Sequence, residues 1–108
     1  MAKIELLQGT LDLLILKTLA TGPNHGWGIC HRIRESSRES LDVSHGSLYP
    51  ALHRLELNGD LASEMKPSEN NRRARVYSLT PAGRRRLVAE RDGWEQFTLS
   101  IRRVLQAE

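Results

Sequence analysis

The chain is poor in the features that most function classes require. It has one cysteine, Cys30, in 108 residues. No intramolecular disulfide can form, and that usage fits a reducing cytoplasm. No apolar run approaches the roughly 20 residues of a membrane span. The longest, Leu13 to Leu16, is bounded by Asp12 and Lys17. The N-terminus has no apolar stretch with a small-residue cleavage site, so no secretory signal is expected. His25, His31, His45 and His53, with Cys30, have no recognised metal spacing, so neither a metal nor a cofactor is expected. There is no Ser/His/Asp or Cys/His arrangement, phosphate loop or supported carboxylate pair, which argues against an enzyme. Internal repeats, low-complexity tracts and long linkers are also missing.

What remains is an ordinary globular composition, 39% apolar and 27% charged, in a chain long enough for one modest core. The net charge of +3 is mild, but its distribution is uneven. Residues 61–86 hold seven Lys/Arg (Lys66, Arg72, Arg73, Arg75, Arg84, Arg85, Arg86) against two acids, Glu64 and Glu69. The segments on either side each carry one excess negative charge. One short segment thus holds all the positive excess, as either a polyanion contact or a solvated basic loop.

Periodicity and punctuation divide the chain. A first helix is expected from about Thr10, as N-cap, to Ala20, stopped by Gly22-Pro23. Leu11, Leu14, Ile15 and Leu19 make one face, and Leu13 and Leu16 add a second that a partner subunit would cover. A second helix runs from about Gly26 to Ser37, with Trp27, Cys30, Ile33 and Ile29 as its core side. A third carries Leu48, Leu52 and Leu55 on one face and ends at Asn58-Gly59. Its N-cap is Ser44 or Ser47, since Pro50 belongs near the opening turn. Two alternating strands, about Leu61–Lys66 and Arg75–Thr80, flank a polar turn and form a hairpin. Thr80-Pro81 starts a last helix that reaches about Gln106. Along it Leu87, Trp94 and Ile101 recur every seven residues, with Phe97 and Val104 three later. Burying these five side chains would contribute on the order of 10 kcal/mol before entropy, and three short helices and a hairpin are too small to do so.

The order helix, helix, helix, hairpin, helix is an α+β, mainly α plan: a winged helix-turn-helix domain over residues 1–80 and a C-terminal dimerisation helix over 81–108. In this plan the third helix enters the major groove of double-stranded DNA and the hairpin tip follows the backbone or the minor groove. The candidate DNA contacts are His45, Ser47, Tyr49, His53 and Arg54 on the third helix, and Lys66, Asn71, Arg72, Arg73 and Arg75 on the wing. Ser47 could instead cap the helix and Tyr49 could pack in the core. Arg84, Arg85 and Arg86 read as a solvated face or as backbone contacts. The candidate dimer contacts are Leu13, Leu16, Leu87, Trp94, Phe97, Ile101 and Val104. The main alternative is a winged helix that binds protein or RNA; a steep salt dependence would favour DNA.

Several motifs resemble those of PadR-like transcriptional regulators over nearly the whole chain. Leu7-Gln8-Gly9-Thr10-Leu11-Asp12-Leu13-Leu14-Ile15-Leu16 is similar to the family's first helix. His25-Gly26-Trp27-Gly28-Ile29 resembles its entry to the second. Gly46-Ser47-Leu48-Tyr49-Pro50-Ala51-Leu52-His53-Arg54-Leu55-Glu56 with Gly59 resembles its recognition helix, and Tyr77-Ser78-Leu79-Thr80 with Gly83 its wing exit. The chain departs from its short subgroup at Met65 and Val76, where aromatics are common. The resemblance implies a homodimeric repressor at a partly palindromic operator, joined through the last helix with help from the first. It also implies a small lipophilic or aromatic effector, bound between subunits, that releases DNA. The heptad seam makes a direct prediction: Trp94→Ala combined with Ile101→Ala yields monomers by light scattering, and persisting dimers would refute it.

Overall fold

The computed structural model describes residues 8–67 and 72–108. Its elements, in chain order, are α1 (Gln8–Ala20), β1 (Asn24–His25), α2 (Gly26–Ser36), α3 (His45–Leu57), β2 (Leu61–Pro67), β3 (Arg73–Leu79) and α4 (Pro81–Gln106). The α+β, mainly α plan with its three helices, wing and long last helix is therefore present. Asn71, at the expected wing tip, and Leu7, in the first motif, lie outside the described residues.

Local chemistry explains most boundaries. Ser44 caps α3 by accepting the Ser47 N–H at 3.2 Å. This resolves the two candidate starts and puts Pro50 inside the helix, where the Gly46 carbonyl loses its usual donor. Gly46 is exposed, so water can replace that donor. Asn58 closes the helix, and Gly59, at φ 84°, makes the left-handed turn into β2. Thr80 caps α4 through the Gly83 N–H at 3.0 Å, with Pro81 in the first turn. Thr10, expected as a cap, lies inside α1, which already includes Gln8. The connection from α2 to α3 spans residues 37–44, longer than a minimal helix-turn-helix turn. It passes through two consecutive left-handed residues, Arg38 at φ 54° and Glu39 at φ 65°.

Packing is centred on α1, which the other helices and the wing surround. Ile15, Leu16, Ile29, Leu48, Leu52 and Leu55 are wholly buried, joined by Leu61 and Tyr77 from the wing. Two expectations are corrected here. Leu16 was assigned to a partner-covered face, but this chain buries it fully by itself. Trp27 was assigned to the core, but it is 62% exposed, because Ile29 and Ile33 form the inward side of α2. Leu13 is half-buried, and Leu87 is half-buried against the core.

The sheet was read as a two-stranded hairpin. It has three strands in the order β1-β3-β2, all antiparallel. Two residues, Asn24 and His25, opposite Tyr77 and Val76, make the extra strand, too short to leave an alternating pattern.

α4 is anchored only near its start. Gly83 is buried, and a Cβ there would lie 2.1 Å from the Asp60 carbonyl oxygen. From residue 91 to 106 every residue except Thr98 is exposed. The two α4 glycines should therefore respond oppositely to alanine. Gly83→Ala lowers stability by about 1–3 kcal/mol through the backbone clash. Gly93→Ala, with nothing within 4 Å, raises it by up to about 1 kcal/mol. Thermal unfolding of the two variants checks both signs.

Candidate nucleic-acid interface

The side of α3 away from the core carries the candidates. Leu48, Ala51, Leu52 and Leu55 face inward, so helical spacing turns Tyr49 and His53 outward. His45, Ser47, Tyr49 and His53 are all exposed. Ser47 is not the cap; its hydroxyl accepts from the Ser44 hydroxyl at 3.1 Å. Tyr49 is 46% exposed, and its ring meets His45 edge-on at 5.7 Å. Gly46 and Pro50 share this face and are exposed. Neither carries a charge or a hydrogen-bonding side chain, the signal that marks the other candidates in the sequence, although both lie at helical spacing from Tyr49 and His53.

Arg54 has a different partner from the one expected. The sequence makes it a candidate DNA contact, but its guanidinium donates to the carboxylate of Asp12 on α1. Asp12 is 4% exposed and also pairs with Arg86 on α4 at 3.6 Å. Arg86 in turn donates to Asp60, at the start of β2, at 2.6 Å and to Glu90 at 3.4 Å. Arg86 therefore does not belong to a solvated basic face, unlike the exposed Arg84 and Arg85. Arg54 and Arg86, arriving from neighbouring helices, are the partners of this carboxylate on the inner side of α1.

The wing presents its cations on defined faces. Arg73 and Arg75 alternate with Ala74 and Val76 and share a pleat face with Tyr77. Tyr77 points into the core, so the two arginines lie on the side of the hairpin that overlooks α3. Arg75 donates to Ser63 at 3.0 Å, and Ser63 donates to Glu56 of α3 at 2.6 Å, which ties wing to helix. Lys66, opposite Ala74 on the other face, pairs with Glu64 at 2.9 Å. Arg72, just before β3, is exposed. The structure thus brings His45, Ser47, Tyr49 and His53 together on α3, with Arg73 and Arg75 beside them. Arg54 is turned inward, and Lys66 is on the opposite side of the wing. Among the described residues no group of three or more His, Cys, Asp or Glu could hold a metal ion. Cys30 is half-buried, and burial pushes its thiol above the ordinary value, which disfavours the reactive thiolate.

Burial also acts on Asp12. Desolvation raises its carboxyl above the ordinary 3.8, outweighing the lowering by Arg54 and Arg86. The native state then holds this proton more tightly than the unfolded chain does. The resulting stabilisation is fully present below 3.8 and is lost as pH rises through the higher native value. Asp12→Asn cannot titrate, so the wild-type-minus-variant stability, followed by urea unfolding, should decline as pH rises above 3.8. Asp12→Ala, which takes the carboxylate from Arg54 while Arg86 keeps Asp60 and Glu90, should cost about 1–3 kcal/mol. A flat difference curve would remove Asp12 as a titrating group in the fold.

Comparison with known proteins places this geometry in a lineage. The model of the transcriptional regulator PadR-like family matches residues 15–89. A transcriptional regulator of Mycobacterium tuberculosis is 38% identical over 97 residues, covering 90% of this chain and 87% of that protein. The structure of a Clostridium thermocellum transcriptional regulator superposes with a TM-score of 0.82 at 30% identity, over 89% of this chain and 93% of that one. That of an Eggerthella lenta PadR-family regulator superposes at 0.81 and 26%, over 94% and 86% respectively.

Proposed function

We propose that this chain, which belongs to the PadR-like family of transcriptional regulators, binds double-stranded DNA sequence-specifically as a homodimer and represses transcription at a partly palindromic operator. The observation that carries the reading is the row His45, Ser47, Tyr49 and His53, exposed along the start of α3 beside Arg73 and Arg75 of the wing. α3 enters the major groove, where Ser47, Tyr49 and His53 reach base edges and His45 approaches the backbone. Arg72, Arg73 and Arg75, with Asn71, follow the phosphates or the adjacent minor groove, and Lys66 adds charge from the far side of the wing. Arg54 serves as the strut that holds α3 on α1.

Residues 1–80 act in this reading as the DNA-binding unit and residues 81–108, with α4, as the dimerisation helix. Trp94, Phe97, Ile101 and Val104 are 42%, 54%, 41% and 74% exposed in the single chain, a stripe that a second α4 would cover. Leu87 continues the stripe toward the body, with Leu13 of α1 at its margin. The rings of Trp94 and Phe97 lie 6.2 Å apart, an apolar surface against which a lipophilic or aromatic effector between subunits would pack and release DNA. Among the described residues no helix is long and apolar enough to cross a membrane.

Fluorescence anisotropy tests the reading. Wild type should bind DNA from upstream of its own gene more tightly than a scrambled duplex. Between about 50 and 200 mM salt the log–log slope should be near −5, for roughly six phosphate-contacting arginines per dimer. Arg72→Ala combined with Arg73→Ala should weaken binding to both duplexes and flatten the slope. No binding at low salt would overturn the function, and an unchanged slope would remove the wing from the contact.

A further inference from the structure

Trp27 is the large side chain whose position the fold explains least. It is 62% exposed on the first turn of α2, where a polar residue would be less costly to solvate. It is nevertheless held in place. The His31 ring lies parallel to it, with centroids 5.5 Å apart and 3° between planes. His25 stacks on it at 6.1 Å and 29°. His25 is itself fixed, because its Nδ1 accepts the Gly28 N–H at 3.0 Å as the cap of α2. The proton of the neutral ring is then on Nε2, leaving a donor on that side. An exposed indole clamped between two rings has already lost much of the rotamer freedom that binding would otherwise remove.

The surroundings indicate what it meets. A hollow of about 190 Å³ beside Trp27 is shared with His45, the first residue of α3. Gly26, next to Trp27, packs so closely on Tyr49 of α3 that a Cβ there would lie 2.7 Å from the tyrosine hydroxyl. His25 pairs with Val76 of β3, the strand that carries Arg73 and Arg75. His25 shares the pleat face of Val76, opposite that of Arg73 and Arg75, so the ring strip borders the start of α3, on the surface assigned above to DNA, rather than the basic face of the wing. In helix-turn-helix docking the helix before the recognition helix crosses the phosphate backbone.

We propose that Trp27, clamped by His25 and His31, is a further DNA contact that packs on the deoxyribose–phosphate strand crossed by the start of α2. The inference rests on the DNA-binding reading of α3 and the wing. The exposed edge of the indole packs on a sugar, and its N–H, with Nε2–H of His25, donates to phosphate oxygens. This contact adds no net positive charge. The nearby polar side chains are matched locally, His31 with Glu35 at 3.2 Å and Arg34 with Glu39 at 3.5 Å. It therefore contributes affinity without releasing counterions, unlike an arginine contact.

That difference makes the test specific. Trp27→Ala should weaken binding to the upstream and scrambled duplexes alike, by roughly tenfold for one partly buried ring, with an unchanged salt slope. Trp27→Phe should keep most of the affinity. His25→Asn, which can still cap α2, should lose a few-fold from the missing donor. Thermal melting of all three should stay close to wild type. DNA should quench tryptophan emission in wild type, and most of that quenching should vanish in Trp27→Phe. If wild type binds DNA and Trp27→Ala binds it equally well, the contact is overturned and the strip faces something else, such as a protein partner. If wild type binds neither duplex, the DNA-binding reading fails and takes this contact with it.

Discussion

The carboxylate of Asp12 is the point through which the helices are held together. It sits on the inner side of α1, 4% exposed, and it cannot stay ionised there without cations. Arg54 of α3 and Arg86 of α4 supply them, and Arg86 extends the network to Asp60 at the start of β2. A buried ion pair is weak evidence for stability, because the desolvation cost can equal the Coulombic gain. Its consequence here is geometric. Apolar side chains allow helices to slide and rotate against one another, whereas a guanidinium and a carboxylate meet well in few arrangements. The orientations of α3 and of α4 on α1 are tied to that arrangement.

The same network explains why α4 begins rigidly and ends exposed. Its first turns are locked by the Thr80 cap, by the close approach of Gly83 to the Asp60 backbone and by Arg86. Beyond Glu90, the described residues leave every position up to Gln106 exposed except Thr98. In the proposed dimer, the partner's α4 would cover the Trp94 to Val104 stripe, and the clamp at Arg86 would hold each α3 at a set distance and angle from its mate. Half-site spacing in the operator would then follow from how two α4 helices cross.

The wing is coupled to α3 by a different device. Arg75, Ser63 and Glu56 form a hydrogen-bonded chain at the surface, and Tyr77 and Leu61 insert into the core beneath it. β1 fastens the other edge of β3 to the entry of α2. Helix and hairpin thus present their polar side chains from one platform, and the rings of His25, Trp27 and His31 border the start of α3.

Residues near one another in the chain determined the order and most ends of the elements. Ser44, Asn58-Gly59 and Thr80-Pro81 act within a turn of where they sit, and the seven-residue recurrence of Leu87, Trp94 and Ile101 is visible without any partner. The family's motifs were legible for the same reason. The tertiary structure decided everything that depends on who meets whom. Arg54 and Asp12 are 42 residues apart, so no spacing rule could show that this arginine turns inward while His53 stays out. Trp27 and Leu16 exchanged their expected places because helical periodicity gives the angle between side chains, not which angle faces the core. That choice belongs to the neighbouring helices and to the volume they leave between them.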